Sequence, residues 1–394
     1  MNIKQMRIID TYVGGLTCLF LDIFERARKI FFPKRTDCLA AEPKKILVTK
    51  YLGMGSILLA TPMLRAIRNR FPKSKIVFLT FEGNRKFVEQ IELIDDVLSI
   101  RTSSLLVFIR DLFAALYGIR RSKFDVVFDL EFFARFSTIV SYLSGARARI
   151  GYYLPRLWRG DLLSHTIHFN PYKHVTEVFS AQLLPFNIKV ADFSLIKPNI
   201  KEEKIKRVDL LLKEKGAGED EHIISVNVNA SGLSIERKWP ANNFVELISH
   251  IVKSKDKAKV IFIGSGEDVQ YVNSALKLFP ESIKGNIINL CGFIDIQECM
   301  ALLKKSSLFI TNDSGPLHIA AALGIPTVSF FGPESPTLYG PIGLRNKIFY
   351  AGVYCSPCLN VYNAKTAMCN GNNLCMQKIK PSEVISVLEK EGIL

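Results

Sequence analysis

The chain lacks, near its N-terminus, a hydrophobic run long enough to cross a membrane. The uncharged stretch from Thr11 to Leu21 covers eleven residues, whereas a membrane-spanning helix needs about 20. A cleaved signal peptide also fits poorly, because Asp10 borders the stretch and basic residues follow it where a cleavage site would lie. We therefore expect neither a membrane span nor a signal peptide here.

Acidic residues are scarce relative to basic ones. The 394 residues include 52 Lys and Arg against 37 Asp and Glu, which gives a formal net charge of +15. This balance favours an anionic partner, whether nucleic acid, an acidic lipid surface or a phosphorylated glycan. No RNA-binding aromatic strand, recognition-helix pattern or zinc-finger spacing occurs in the sequence, so we expect no nucleic-acid partner.

Neither a lysine-containing phosphate loop nor a complete dinucleotide fingerprint is present. Gly53-Met54-Gly55 follows an apolar strand, but Leu58 stands where the third glycine of the fingerprint would be. The turn therefore serves either to let a substrate hydroxyl approach the backbone or to pack the next helix on the sheet.

The chain has the length and composition of two globular domains. Apolar residues make up 48% of it, and its length suits two cores of about 150 to 200 residues each. Strand and helix patterns alternate in two halves, which predicts parallel α/β sheets. We expect an N-terminal amphipathic segment at 1–43, a Rossmann-like domain at 44–200, a linker at 201–220, a second Rossmann-like domain at 221–380 and a C-terminal helix at 381–394.

The N-terminal segment has the pattern of an amphipathic helix. At helical spacing one broad apolar face is formed by Ile8, Ile9, Tyr12, Val13, Leu16, Leu19, Phe20, Ile23 and Phe24, and Arg26, Arg28, Lys29, Lys34 and Arg35 add basic charge beyond it. Such a helix either lies in a membrane interface or packs on the protein's own surface.

The stretch from Phe309 to Gly324 is the most informative part of the sequence. An apolar strand runs into the turn Asn312-Asp313-Ser314, and a helix follows that begins with Gly315 and Pro316. Glycine leaves room for a ligand near the backbone, and proline at a helix start has no N–H to satisfy. The first turn of this helix is therefore expected to bind phosphate through its N–H groups. The alternative is an ordinary capped strand-turn-helix, since Asp and Ser are common caps.

Further motifs fall in a fixed order along the chain. They are KYLGMGSILLATPMLRAIRNRFP, VVFDLEFFARFS and SGARARIGYY in the first half, then ERKWPANNF, GSGEDV and NLCGFIDIQECMALLKKSSLFITNDSGPLHIAAALGIPTVSFFGPESP in the second. In content, order and spacing the chain resembles the family 9 glycosyltransferases, the lipopolysaccharide heptosyltransferases and their relatives, from Lys45 to Ile385.

The resemblance implies an α/β protein of the GT-B fold, with two Rossmann-like domains facing across a cleft. It implies inverting, metal-independent transfer of heptose or a related sugar from a nucleotide sugar, such as ADP-heptose, to a lipopolysaccharide core or another cell-surface glycan acceptor. No cofactor would be required for catalysis. The alternative is a catalytically weak or inactive family member that binds a glycan or a nucleotide sugar.

The resemblance also assigns donor-binding residues in the second half. The sugar and diphosphate would be lined by Asp313, Ser314, Gly315, Leu317 and His318, and the nucleotide ribose would be bound by Glu267. Either Arg237 or Lys238 would reach the phosphates, because the family often has lysine where Arg237 stands. Fixed dipoles and cations are what the departure of a nucleoside diphosphate requires without a metal.

The catalytic base is where the sequence departs from the family. Members usually carry Asp directly after the Met-Gly of the first turn, whereas this chain has Ser56 after Gly55. A serine hydroxyl is no base at neutral pH without a group to take its proton. The expected substitutes are Asp129 and Glu131, at the end of a first-domain strand. The alternative is that Asp129 only caps the following helix.

Arginine side chains in the first half are expected to bind the acceptor. Arg135, Arg147 and Arg149 lie in segments predicted to face the cleft, and arginine binds carboxylate and phosphate in forked geometry. Together with the amphipathic N-terminus and the positive net charge, they favour an anionic inner membrane surface as a partner. We therefore expect a cytoplasmic protein, peripheral on the inner membrane.

Four of the eight cysteines are clustered near the C-terminus. Cys355, Cys358, Cys369 and Cys375 lie in a loop rich in glycine and asparagine and have the potential to bind a tetrahedral metal. A similar four-cysteine iron finger occurs in the autotransporter heptosyltransferases, which are relatives of this family. Structural zinc or iron is one interpretation of the cluster, and reduced or partly paired thiols are the other.

Overall fold

The computed structural model describes residues 3–31, 39, 42–154, 157–218, 220–230, 234–363 and 365–393. It forms two compact units, Met1–Ile196 and Lys197–Leu394. Lys34 and Arg35 of the predicted basic flank lie outside the described residues. None of the helices in these described ranges is both long and apolar enough to pass through a bilayer.

The first unit is built on a six-stranded parallel sheet of order β3-β2-β1-β4-β5-β6. Its strands are β1 Lys45–Thr49, β2 Lys75–Phe81, β3 Asp96–Ile100, β4 Val126–Asp129, β5 Ala148–Tyr153 and β6 His165–His168. The strands β1 and β4 are buried along most of their length, as expected for parallel strands covered on both faces. The prediction of a parallel α/β architecture is confirmed for this half.

Eight α-helices accompany this sheet in the described residues. They are α1 Ile3–Ile9, α2 Gly15–Phe31, α3 Met54–Leu59, α4 Thr61–Arg70, α5 Glu82–Val88, α6 Leu105–Ser122, α7 Arg135–Leu143 and α8 Val175–Ser180. A π-helical turn, Asp10–Gly14, joins α1 to α2. The amphipathic N-terminal segment is thus helical, and it packs on the first unit through its polar face.

The second unit repeats the architecture with the order β12-β11-β10-β7-β8-β9. Its strands are β7 His222–Asn227, β8 Ala258–Phe262, β9 Ile287–Asn289, β10 Leu308–Asn312, β11 Thr327–Phe331 and β12 Asn346–Tyr350. The core of this unit includes Trp239, which stacks on Phe330 with ring centroids 3.9 Å apart. Trp239 is therefore a core residue.

The helices of the second unit include the segment predicted to be a linker. They are α9 Glu202–Glu214, α10 Ala241–Ser254, α11 Val269–Leu276, α12 Glu281–Lys284, α13 Ile296–Lys305, α14 Gly315–Leu323, α15 Pro336–Tyr339, α16 Leu374–Gln377 and α17 Pro381–Lys390. Helix α9 packs on α13, where Lys204 Nζ lies 3.0 Å from Glu298 Oε1. Residues 202–214 are therefore part of the second unit, because the helix has an apolar face to bury.

Each sheet has one point at which the strand order reverses. In the first unit it lies between β1 and β4, and in the second between β7 and β10. Ligands of open α/β sheets bind outside the carboxyl ends of the strands at such a switch point. Four of the predicted site residues follow or end these strands: Ser56 follows β1, Asp129 ends β4, Arg237 follows β7 and Asp313 follows β10. The topology of each unit thus places these four at the edge of the sheet where ligands of such folds bind.

Candidate functional site

The turn between β10 and α14 has the geometry of an anion-binding helix start. Ser314 takes the N-cap position with extended backbone, yet within the described residues no side chain caps the helix. The Ser314 hydroxyl instead lies 2.9 Å from Thr311 Oγ1. The N–H groups of Gly315 and Leu317 in the first turn are therefore left for another acceptor.

A buried ion pair flanks this turn. Arg237 Nη1 lies 3.0 Å from Asp313 Oδ2, and the two residues are only 9% and 6% exposed. Two residues that sequence reasoning assigned separately are thus brought together, one from the loop after β7 and one from the end of β10. A buried carboxylate beside an arginine holds the guanidinium in one orientation.

Lys238, the alternative to Arg237, points elsewhere. Its ammonium lies 3.5 Å from the centroid of the Tyr271 ring, and burial lowers its pKa below the ordinary lysine value, although Asp268 opposes this shift. Lys238, Tyr271 and Lys380 line an open groove of about 710 Å³ in the second unit. Arg237 and Lys238, although neighbours in sequence, therefore have different surroundings.

Asn312 is a positioning residue that the sequence analysis missed. Its amide donates to the carbonyl of Val228 at 2.9 Å, and its carbonyl oxygen accepts from the backbone N–H of Trp239 at 2.8 Å. The loop that carries Arg237 is thereby tied at both ends to the end of β10. The signal was present, because a buried asparagine at a strand end needs partners for both its donor and its acceptor.

Glu267 lies on the exposed surface of a short turn, Gly266–Asp268. Its neighbour Asp268 caps this turn, since both the N–H and the hydroxyl of Ser265 donate to the Asp268 carboxylate. Gly264 lets the loop pass close to Asn229, because a Cβ at this position would lie 2.6 Å from Asn229 Nδ2. Glu267 is thus presented to solvent beside the carboxyl end of β8.

The first turn of α14 buries the side chains of two predicted donor residues. Leu317 is fully buried and His318 is 4% exposed. Leu317 therefore has only its backbone N–H to offer a ligand, while its side chain packs inside the unit.

A second buried ion pair, also missed from the sequence, lies beside the first. Glu334 follows β11, and its carboxylate pairs with the Lys365 ammonium, which also lies over the ring of Tyr339. Burial raises the pKa of Glu334, and so does the charge of Asp313, while the charges of Lys365 and Arg237 oppose the rise. Arg237, Asp313, Glu334 and Lys365 therefore form one buried charged group at the edge of the sheet.

In the first unit, Glu131 holds the turn that was predicted to meet the acceptor. Its Oε1 atom accepts from Lys50 Nζ at 2.9 Å and from the N–H groups of Tyr51 and Leu52 at 2.9 and 3.1 Å. This turn continues through Gly53, whose φ is +84°, to Gly55 and Ser56. The other carboxylate oxygen, Oε2, has no hydrogen-bond partner among the described residues.

Asp129 is fully buried and hydrogen-bonded through both oxygens. Oδ2 accepts from the Ser137 hydroxyl at 2.9 Å, and Oδ1 accepts from the N–H of Glu131 at 3.1 Å. Burial raises its pKa to about 6, although the charge of Arg159 opposes the shift. The carboxylate thus lies inside the unit, and its role as base remains a prediction.

The three predicted acceptor arginines have different surroundings. Arg147 is exposed. Arg135 begins α7 and donates from Nε to the carbonyl of Trp158 at 3.1 Å. Arg149 is 5% exposed and donates to the carbonyls of Leu162 and Ala146 at 2.8 and 2.7 Å. Arg149 therefore supports the structure around β5, and Arg147 is the most accessible of the three.

The clustered cysteines lie beside the charged group of the second unit. The N–H groups of Cys358 and Leu359 donate to the carbonyl of Pro333, next to Glu334. All four thiols are free in the structure, and the parts of the chain that it describes contain no group of three or more His, Cys, Asp or Glu placed to hold a metal ion. The predicted tetrahedral site is therefore not formed by these side chains as they lie.

Comparison with known proteins identifies the family. A model of glycosyltransferase family 9 (heptosyltransferase) matches residues 113–368. Lipooligosaccharide heptosyltransferase 2 of Campylobacter jejuni is 30% identical over 169 residues, which are 43% of this chain and 51% of that protein. The chain thus spans about half the length of this curated relative.

Solved structures of low identity share the fold. A family 9 glycosyltransferase from Veillonella parvula is 21% identical to this chain, and the two structures superpose with a TM-score of 0.72. The match covers 88% of this chain and 96% of the Veillonella chain. The Escherichia coli ADP-heptose lipopolysaccharide heptosyltransferase II is 18% identical, with a TM-score of 0.68. That match covers 88% of this chain and 98% of the Escherichia coli chain. The expected GT-B fold of two Rossmann-like domains is confirmed, and the chain belongs to glycosyltransferase family 9.

Proposed function

We propose that the protein is an inverting glycosyltransferase that moves heptose or a related sugar from a nucleotide sugar to a lipopolysaccharide core or another cell-surface glycan. The donor proposed is ADP-heptose, which is the donor named for the Escherichia coli structure of the same fold. The observation that supports this proposal most directly is the start of α14, which no N-cap side chain caps, beside the Arg237–Asp313 pair. Transfer would need no metal, since these dipoles and cations stabilise the departing diphosphate.

On the donor side, different groups would bind different parts of the nucleotide sugar. The N–H groups of Ser314, Gly315 and Leu317 would donate to the diphosphate, and Arg237, oriented by Asp313, would balance its charge. Glu267, exposed beside the carboxyl end of β8, would accept hydrogen bonds from the two ribose hydroxyls. Negative charge grows on the phosphate oxygens as the sugar leaves, so these groups act on the transition state more than on the bound donor.

On the acceptor side, Glu131 is the better of the two carboxylate candidates for the base. Its Oε2 is unpaired among the described residues, whereas both oxygens of Asp129 accept hydrogen bonds. Glu131 also holds the turn that carries Gly55 and Ser56 through Oε1. A proton from the acceptor hydroxyl would reach Oε2 only if the turn shifts, because that atom is buried.

A panel of nucleotide sugars tests the donor assignment. A ligand that binds only the folded protein adds about 2.7 kcal/mol to stability at 100 times its Kd, so ADP-heptose should raise the Tm more than UDP- or GDP-sugars at equal concentration. Release of ADP on adding a lipopolysaccharide core acceptor would then establish transfer. Equal shifts with all three nucleotides would contradict the ADP assignment.

A second candidate function is binding without transfer. It is favoured by Ser56 at the position of the family base and by the burial of both Asp129 and Glu131. A binding protein would give the thermal shift with ADP-heptose but no nucleotide release in the presence of the acceptor. The two functions are therefore separated by one additional measurement on the same samples.

A structural zinc or iron on the four cysteines does not fit the described side chains as they lie. No step of the proposed reaction depends on such an ion. The proposed partners are a nucleotide-sugar donor, a surface-glycan acceptor and an anionic inner membrane surface on the cytoplasmic side, which the net charge of +15 favours.

A further inference from the structure

The helical segment Ile3–Phe31, here called the N-terminal helix, is attached to the first unit by acidic side chains. Asp10 accepts from the N–H groups of Arg135 and Phe136 at 3.0 and 2.7 Å and so caps α7. Gly14, in the same turn, lets the helix pass close to Arg135, because a Cβ there would lie 3.2 Å from Arg135 Cβ. The polar side of the helix is thus fixed to the protein.

Two further acids repeat this attachment along α2. Asp22 accepts from the N–H of Asp161 at 2.7 Å, and Glu25 accepts from the Tyr142 hydroxyl at 2.9 Å. Asp22 and Glu25 are 3% and 2% exposed. Together with Asp10, all three acidic residues of the N-terminal helix face the protein.

The apolar side of the same helix faces solvent, which inverts the usual arrangement of a surface helix. Ten large apolar side chains are between 47% and 77% exposed: Ile8, Tyr12, Val13, Leu16, Leu19, Phe20, Ile23, Phe24, Ile30 and Phe31. A continuous apolar patch of this kind marks a site of interaction with a protein or a membrane.

Helix α6 adds a second exposed apolar stripe nearby. Leu106, Ile109, Phe113 and Tyr117 recur at helical spacing and are exposed. Both α6 and α2 pack against α7, the first through the contact of the Phe108 ring with α7 and the second through Glu25. The two helices that carry these apolar stripes therefore both pack on α7.

The charges beside these stripes indicate which partner covers them. Exposed basic side chains adjoin the apolar faces, namely Arg26, Lys29, Arg110, Arg120, Arg121 and Lys123. The one acidic residue of α6, Asp111, is 13% exposed and pairs with Arg101 and Arg110. An apolar face bordered by positive charge, with its acids turned inward, is complementary to an anionic lipid bilayer.

We propose that the N-terminal helix and α6 insert their apolar side chains into the headgroup region of an anionic bilayer and hold the first unit on the membrane. The inference deepens the membrane partner of the proposed function, but the attachment itself does not depend on transferase activity. Electrostatic attraction brings the basic rim to the surface, and burial of the apolar side chains then retains the protein.

A native reporter lies beside the proposed surface. The sequence has two tryptophans, of which Trp239 is fully buried and Trp158 is 44% exposed. The Trp158 carbonyl accepts from Arg135, and Asp22 lies against Gly160, two residues further on. The fluorescence of Trp158 is therefore expected to shift to shorter wavelength when the surface meets lipid.

The test is flotation of the full chain with vesicles of phosphatidylethanolamine and phosphatidylglycerol. The double variant Phe20→Ser, Phe24→Ser removes exposed apolar side chains and leaves all three acids in place. It should weaken vesicle binding about tenfold or more and move the Trp158 shift to correspondingly higher lipid concentration, with an unchanged Tm. The matched control Leu210→Ser, Leu344→Ser changes exposed side chains of the second unit and should bind like the parent.

Two outcomes would overturn the proposal. Equal binding by the double variant and the parent would exclude the apolar face as the contact. The second outcome has two parts: the parent does not bind vesicles, and it has twice the monomer mass in solution whereas the double variant is a monomer. This result would assign the apolar face to a second copy of the chain. Nucleotide release with a water-soluble core oligosaccharide, measured without vesicles, reports the transferase activity separately.

Discussion

Arg237 Nη1 lies 3.0 Å from Asp313 Oδ2, and the two residues are largely buried. The loop after β7 and the end of β10 are thereby joined at the switch point of the second sheet. Removing one partner of such a pair leaves a buried charge uncompensated, which costs about 3 to 5 kcal/mol. The pair is therefore both a structural joint and the proposed source of positive charge for the donor phosphates.

Replacing Arg237 by Gln should weaken ADP binding by about tenfold, equivalent to about 1.4 kcal/mol, and should lower the Tm. Calorimetric titration with ADP, below the Tm of the variant, measures the first effect apart from the second. Lys238→Gln is the matched control, because Lys238 lies over Tyr271 and not against Asp313. A larger loss of ADP affinity in Lys238→Gln than in Arg237→Gln would transfer the phosphate role to the lysine.

The Glu334–Lys365 pair predicts non-additive effects on stability. Lys365→Met leaves the Glu334 carboxylate buried without its cation, and Glu334→Gln leaves the ammonium without its carboxylate. The double variant removes both charges, so we expect it to be more stable than at least one single variant. Urea denaturation of the four proteins measures this coupling, and strictly additive losses would contradict a direct pair.

Asp129 predicts a pH dependence of stability. Its pKa is about 6 in the folded protein against about 3.9 for an unperturbed aspartate. A group whose pKa is raised by folding favours the folded state at low pH, so its contribution is lost as the pH rises from about 4 to about 6, by at most roughly 3 kcal/mol. In Asp129→Asn this part of the pH profile of the unfolding free energy should be flat.

The same variant tests the catalytic proposal when paired with Glu131→Gln. If Glu131 is the base, Glu131→Gln should lower kcat strongly while the ADP Kd is unchanged, measured below the Tm of the variant, which falls because Glu131 pairs with the buried Lys50. Asp129→Asn should alter mainly stability. Undiminished transfer by both variants would exclude both carboxylates as the base. A slope in the unfolding profile that persists in Asp129→Asn would assign that titration to another group.

Ser56 should contribute little to the chemistry, since its hydroxyl takes no proton at neutral pH unaided. Ser56→Ala is expected to keep kcat within about threefold of the parent, or less than about 1 kcal/mol in activation free energy. Steady-state release of ADP with the core acceptor measures this. A loss comparable to that of Glu131→Gln would mean that Ser56 works together with a neighbouring base.

The alternation of strand and helix patterns is enough to predict both parallel sheets. The sequence marks Asn312 as a polar residue that needs partners, but it does not identify Trp239 as one of them or pair Glu334 with Lys365. These contacts join segments that are far apart in sequence. The sequence predicts that the N-terminal helix is amphipathic, but it does not determine that the apolar side faces outward. Which side docks depends on the N–H groups of Arg135, Phe136 and Asp161, and these are available only once α7 and the loop after β5 have formed.

The cysteine cluster predicts an order of thiol reactivity. Burial raises the pKa of the Cys375 thiol to about 11 and also raises that of Cys358, whereas Cys355 is exposed. Because the thiolate is the nucleophile, about one Cys375 thiol in a thousand is ionised at about pH 8. Cys355 should therefore react with iodoacetamide first and Cys375 last, as peptide mass spectrometry of timed samples would show.

A bound metal would produce a different pattern of reactivity. Four thiolates that share one zinc or iron ion would all be protected together, and a chelator would release them together. Protein purified anaerobically should contain well below one equivalent of either metal, and the chelator should leave the order of labelling unchanged. Stoichiometric metal with joint protection would instead mean that the loop from Cys355 to Cys375 closes around an ion. Because Cys358 and Leu359 hold Pro333 beside Glu334, removing that ion would then also weaken ADP binding.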